Sequence, residues 1–228
     1  MRYLTKENCQ TCKLKCDIYF TAREMGIEAE LAPEHVVYKK HELICRQNAE
    51  ITHAIILIEG NAKMYIDGMN NKNIILNILL PSNYIGLLSI YGSTTYAYNV
   101  AALNECRTCH VDINLLKKLY YENHNFLLKL NNAFGNSVNN IMQKLISLNQ
   151  KQIRGKVAES LLYLAQLYDA NTFELTITRK ELGELSAISE ENAVRVLTEF
   201  KNEGIVGLEG KEISLKMPDL LKKISAFG

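Results

Sequence analysis

Near Ile113 the apolar residues change period from two to about 3.6, and this switch divides the chain into a β half and an α half. Ahead of it, between Val36 and Asp112, short apolar runs alternate with turn chemistry. The predicted strands are Leu43-Ile44-Cys45, Ala54 to Ile58, Ala62 to Ile66, Ile74 to Leu79 and Tyr98 to Leu103. Between them stand Glu59-Gly60-Asn61, Asp67-Gly68-Met69-Asn70-Asn71, Pro81-Ser82-Asn83 and Tyr91-Gly92-Ser93, residues that tolerate a positive φ at strand ends, and a hairpin is expected around Asp67-Gly68. Beyond the switch, Leu127, Leu130, Phe134, Val138, Ile141, Leu145 and Leu148 recur every three or four residues. A seam sustained over about three heptads calls for a partner helix, most simply the same helix of a second subunit. The alternative is a helix lying on its own β domain.

The last third reads as short helix, turn, longer helix and two small strands, after a further helical stretch from Gly155 to about Leu167. Thr178-Arg179-Lys180-Glu181 is a capping box, in which the Thr hydroxyl and the Glu carboxylate satisfy orphan backbone N–H groups. That helix ends near Ser186. Ser189 then caps a second helix through about Asn202, with Ala193, Val196, Leu197 and Phe200 on one face and Gly204 as its stop. Two helices joined by a short turn form a helix-turn-helix. The runs 205–208 and 212–215, joined through Glu209-Gly210-Lys211, add a hairpin wing.

Order and motifs together resemble the Crp/Fnr superfamily of bacterial transcription regulators over nearly the whole chain from Val36. The matching residues are Tyr38-Lys39-Lys40 with Glu42-Leu43-Ile44, Gly60 with Lys63 and Tyr65-Ile66, Pro81 with Tyr84-Ile85-Gly86, Ala102-Leu103, Arg154-Gly155-Lys156-Val157-Ala158-Glu159, and Thr178 through Gly183. Several turn glycines of the family are replaced here, by His41, Asn48, Asn71 and Ser82; Asn and His tolerate left-handed φ better than most residues. The resemblance implies an α+β architecture: an N-terminal β-roll, a long dimerisation helix and a C-terminal winged helix-turn-helix. The corresponding segments are a cysteine-containing stretch at 1–19, a sensor β-roll at 20–118, the dimerisation helix at 119–149 with Leu130, Phe134, Val138, Ile141, Leu145 and Leu148 in its seam, and the DNA-binding domain at 150–228.

By the same resemblance Glu191 and Arg195 read bases, with Glu190 at a neighbouring contact position. A Glu accepts from a cytosine amino group and an Arg donates to guanine O6 and N7. Thr178, Arg179, Ser189, Lys201 and Lys211 are the expected phosphate contacts. The partners implied are double-stranded DNA, a second copy of the chain and RNA polymerase. In cyclic-nucleotide-binding members a Glu holds the ribose and an Arg-Ser pair holds the phosphate. Here Gly86-Leu87-Leu88 and Thr95-Tyr96 occupy those positions, so cyclic AMP is not the expected effector.

Cys9, Cys12 and Cys16 lie within eight residues and resemble the N-terminal cluster of oxygen-sensing Fnr proteins, whose fourth iron-sulfur ligand corresponds to Cys109. Lys13 and Lys15 are expected to lower the thiol pKa values. A four-iron cluster, a zinc or other thiol site and unligated thiols all remain open, and the cofactor is unknown at this stage. Cys45 and Cys106 read as strand packing.

Lys plus Arg number 26 against 25 Asp plus Glu, so any nucleic-acid footprint is local. From Lys151 onward the counts are 11 and 12, which keeps a winged helix used only for protein contacts as the rival reading. No apolar run approaches the roughly 18 residues that would span a bilayer, and no signal peptide is evident, so a cytoplasmic location is expected. A cupin-like enzyme would need clustered histidines, whereas His53 and His110 stand apart in the sequence, as do His35, His41 and His124. No Gly-x-Ser-x-Gly, P-loop or paired-carboxylate motif occurs, and the chain is read as a non-enzyme.

Overall fold

The computed structural model describes residues 1–4, 8–68 and 73–228, which fall into two units: 1–66 with 77–140, and 67–76 with 141–228. The first contains β1 (Arg2–Leu4), α1 (Asp17–Glu24), β2 (Glu34–Tyr38), β3 (Leu43–Cys45), β4 (His53–Glu59), β5 (Ala62–Ile66), the second half of β6 (Ile74–Leu79), β7 (Tyr84–Ile85), β8 (Asn99–Ala102), β9 (Cys106–Asp112), α2 (Ile113–Glu122) and the start of α3 (His124–Gln150). A five-stranded sheet runs β1-β2-β9-β4-β7 and a four-stranded sheet β3-β8-β5-β6. β4 is buried on both faces from Ala54 to Ile58, which is why its sequence is a continuous apolar run without alternation.

The turns keep the backbone that the sequence implied. His41, Asn48 and Ser82 all hold a positive φ, the backbone region that glycine enters most readily. Of the hairpin after β5, Asp67 and Gly68 are described, while Met69, Asn70 and Asn71 lie outside the described residues. At Gly60 the close approach is absolute: φ is +86° and an added Cβ would stand 2.2 Å from the Glu105 carbonyl oxygen.

One helical boundary differs from the sequence reading. The long helix begins at His124, because Asn123 interrupts the chain and its side chain accepts from the Phe126 N–H at 2.9 Å. The residues from Ile113 form the separate α2, capped by Asp112, which accepts from Asn114 and Leu115 N–H at 2.7 and 3.2 Å.

The second unit holds the end of α3, then α4 (Ile153–Leu167), β10 (Thr172–Glu174), α5 (Arg179–Ser186), α6 (Glu190–Asn202), β11 (Val206–Glu209), β12 (Glu212–Leu215) and α7 (Pro218–Phe227). β10-β12-β11 form a three-stranded antiparallel sheet. β10 and α7 were not anticipated; α7 is nonetheless signalled by Pro218 in its first turn. No helix among the described residues is long and apolar enough to cross a membrane.

Candidate nucleic-acid interface and sensor sites

α5 and α6 meet because the turn between them is drawn tight. Thr178 and Glu181 close the predicted capping box, Ala187 ends α5 in the left-handed region, and Ser189 accepts from Asn192 N–H at 3.3 Å to start α6. Gly183 lets the turn pass: a Cβ there would lie 3.0 Å from the Ile188 carbonyl oxygen. Ala193, Val196, Leu197 and Phe200 are buried, which leaves Glu190, Glu191, Val194 and Arg195 exposed on the outer face.

Arg195 does not pair with Glu191; its Nη1 donates to Glu199 Oε1 at 2.6 Å and its Nη2 to Asn192 Oδ1 at 3.4 Å. Glu199 also receives Arg154 Nη1 from α4 at 2.9 Å. Arg154 further grips Glu203 with Nη1 and Nη2 at 2.9 and 2.7 Å and lies 4.9 Å over the Phe200 ring. Of the expected phosphate contacts, Thr178, Ser189, Lys201 and Lys211 are exposed. Arg179 is half-buried: its Nη2 donates to the Gly210 carbonyl of the wing at 3.2 Å, and desolvation lowers its pKa. Behind α5, Lys144 of α3 donates to the Leu185 carbonyl, and burial pushes its ammonium down to about 8.

In the β unit the residues at the expected effector position only partly converge. Gly86 N–H donates to the Tyr98 hydroxyl at 3.3 Å, and the Tyr96 hydroxyl donates to the His53 carbonyl at 3.4 Å. Tyr96 is buried and Leu87 and Leu88 are half-buried, but Thr95 is exposed on an isolated bridge to Glu50 and does not join them. His53 and His110, separate in sequence, stand 6.2 Å apart ring to ring, and Tyr38 stacks on His110 at 6.3 Å. Burial, with His53 and His35 nearby, drives His110 down to about 4, and burial raises Tyr38 and Tyr98 to about 12 and Tyr96 further. Tyr38, Tyr96, Tyr98 and His110 are therefore uncharged at neutral pH.

Cys9, Cys12, Cys16 and Cys109 do come together, lining one cavity of about 10 Å³ with His35, Tyr19, Ile56 and Ile58. His35 enters because it sits opposite Cys109 in the β2–β9 register. The expected net activation by lysine is not found, because the lowering of Cys9 by Lys15 is outweighed by burial and by the neighbouring thiols. Burial raises Cys9 to about 11 and raises Cys16 and Cys109 as well, the thiols adding to one another's shift. Lys15 spends its ammonium on the Cys9 carbonyl at 3.2 Å and the Gln10 carbonyl, and Lys13 reaches toward Glu59 at 4.0 Å. Four thiols are the right donor set for a thiolate-held metal group. As they stand, among the described residues no three His, Cys, Asp or Glu side chains form a ready metal-binding group, and the space would admit about one water-sized sphere.

Residues 35–123 match the cyclic nucleotide-binding domain family and residues 155–224 the Crp-like helix-turn-helix domain family. The transcriptional activator protein Anr of Pseudomonas aeruginosa is 23% identical over 223 residues, covering 94% of this chain and 91% of that protein. The chain belongs to the Crp/Fnr family. It is a DNA-binding transcription regulator of that type. The cAMP-activated global regulator CRP of Salmonella typhimurium is 24% identical over 182 residues, covering 77% of this chain and 86% of that one. Among solved structures, FixK2 from Bradyrhizobium japonicum shares the fold with a TM-score of 0.79 at 20% identity, covering 87% of this chain and all of that one (100%). A putative Crp/Fnr-family regulator from Eubacterium rectale gives 0.70 at 20% identity, covering 90% and 94%.

Within this Crp/Fnr chain, sequence reasoning missed the Arg154–Glu199–Arg195 chain of contacts, the His53–His110 pair and the place of His35 beside the thiols. The first could have been suspected from Arg154 opening a family motif next to an i,i+4 pair on α6. The others depend on strand register, which the sequence did not disclose.

Proposed function

We propose that this regulator acts in the cytoplasm as a homodimer, placing two copies of α6 in successive major grooves of a pseudo-palindromic promoter site roughly one helical turn apart, with RNA polymerase as its downstream partner and no catalytic role of its own. The observation that carries the reading is the outer face of α6, where Glu190, Glu191 and Arg195 stand exposed opposite a buried apolar face. Glu191 and Arg195 read bases, Glu190 flanks them, and Thr178, Arg179, Ser189, Lys201 and Lys211 hold the backbone. The dimer reading is supported by Val138, Met142 and Leu145, which are 41, 53 and 49% exposed along α3. Leu130 does not belong to that surface. It is 2% exposed, and Phe134 packs 4.8 Å from Tyr91, so the first half of the seam is spent on the chain's own β unit.

Control by something other than cyclic AMP is supported by the aromatic, uncharged surroundings of Gly86, where its N–H already serves Tyr98. An anionic phosphate buried there would find the neutral Tyr96 and Tyr98 and gain no charge-assisted partner from either.

The base-reading assignment predicts that Arg195→Ala weakens binding by about 1–3 kcal/mol at one G·C pair and relaxes preference there, while Lys211→Ala weakens all sequences alike and flattens the salt slope by about one. Titrations on specific and scrambled duplexes check both. Equal losses for Arg195→Ala on the two would make it a backbone contact. Binding that is undetectable after random-site selection, or independent of salt, would favour the protein-only reading.

A second reading is favoured by the convergence of the four cysteines on one cavity: control through a metal group held by Cys9, Cys12, Cys16 and Cys109. Such a group would supply redox or metal-dependent ordering of the N-terminal loop. Protein purified without oxygen would then carry iron and sulfide with a brown colour that bleaches in air, or about one zinc per chain, and Cys12→Ser would remove either. Absence of both metals from such protein would leave the thiols as packing groups.

A further inference from the structure

Glu199 lies where two arginines from different helices meet on one carboxylate. Its Oε2 accepts Arg154 Nη1 from α4 at 2.9 Å and its Oε1 accepts Arg195 Nη1 at 2.6 Å. Arg154 is not free to follow Glu199 about, because its guanidinium is held by both oxygens of Glu203 and lies over the Phe200 ring. Phe200 is fully buried, so this end of the relay is anchored in the core. Arg195, by contrast, is a long and exposed side chain that would otherwise sample many rotamers.

We propose that Glu199 is a specificity-determining positioning residue: braced by Arg154, it holds Arg195 Nη1 and so steers Nη2, whose contact to Asn192 Oδ1 is long at 3.4 Å, toward the base pair, which shares or replaces that contact. The proposal rests on the reading of Arg195 as a base-contacting residue. Its physical basis is pre-organisation. A planar guanidinium discriminates guanine only when its donors meet O6 and N7 in the right plane. Fixing Nη1 on a carboxylate that is itself fixed removes rotations that binding would otherwise have to freeze. An isolated i,i+4 pair on an exposed helix would do little of this. What distinguishes this pair is the second arginine behind it.

The test uses the full-length protein, a duplex recovered by random-site selection, and the set of single base-pair replacements of that duplex. The readout is the ratio of affinity for the selected duplex to affinity for the duplex altered at the pair that Arg195→Ala identifies. Glu199→Gln, which keeps shape and removes charge, should lower that ratio on the order of threefold or more, as coupled neighbours do. It should have no further effect when Arg195 is already Ala. If Arg195→Ala collapses the ratio and Glu199→Gln leaves it unchanged, the inference fails while the base-reading assignment stands. If neither variant alters discrimination at any pair, the assignment fails and the inference with it. A uniform affinity change across all duplexes for Glu199→Gln would also overturn the inference, since a general effect on folding or on phosphate attraction has no base preference. Raised discrimination would mean that Glu199 competes with the base and would equally overturn it.

Discussion

Leu145→Lys is expected to yield monomers in sedimentation velocity with the protomer still folded. Leu145 is 49% exposed in the single chain, so a lysine there meets water in the monomer and costs its fold little. In a dimer joined along α3 the same lysine would be buried against its symmetry mate, and an unpaired buried like-charge pair is not tolerated. Loss of the dimer should lower affinity for a two-half-site duplex by roughly 10²–10⁴-fold, the range that tethering two binding sites contributes. Leu130→Lys is the contrasting variant. With Leu130 2% exposed, it should unfold the β unit instead of separating folded subunits. A Leu145→Lys protein that sediments as a dimer would place the interface elsewhere.

The second large effect is Gly60→Ala. Its φ of +86° is disfavoured for any residue with a Cβ, and the added atom would lie 2.2 Å from the Glu105 carbonyl oxygen and 2.8 Å from Asn104 Oδ1. Backbone must therefore move at the turn that leads from β4 into β5. Strain of this kind together with a backbone clash should cost about 3 kcal/mol or more in denaturant unfolding. Gly92 provides the control. Its φ is +94° with nothing within 4 Å of the added Cβ, so Gly92→Ala should show only the backbone penalty of about 1–2 kcal/mol. Equal costs at the two glycines would mean that the Glu105 contact relaxes freely.

Legibility followed how local the information was. β3, β5 and β6 begin and end where the sequence reading put them, because each is a short, mainly apolar run bounded by turn residues. β9 went unread because Arg107, Thr108 and His110 interrupt the apolar pattern of Cys106–Asp112. Two of those polar groups find partners: Thr108 Oγ1 donates to the Val36 carbonyl of β2 at 3.2 Å, and His110 Nε2 lies 3.0 Å from that hydroxyl on its own strand. α6 was legible to the residue because Ser189, Gly204 and a 3.6-residue period mark its start, stop and inner face.

The sequence by itself determined the elements that depend on neighbours in the chain: the strand runs, the capped helices of the helix-turn-helix, the left-handed turns at His41, Asn48 and Ser82, and the family to which such an order belongs. Only the tertiary structure decided which apolar residues of α3 are consumed by the chain's own core and which remain exposed. It alone brought Cys109 and His35 to the Cys9, Cys12 and Cys16 loop, and it alone showed that burial outweighs the adjacent lysines at Cys9, Cys16 and Cys109. The physical reason is that period and spacing define a face of an element, whereas what covers that face is set by strand register and by contacts between residues far apart in the chain. Desolvation, which governs the ionisation of the buried groups, follows from that cover.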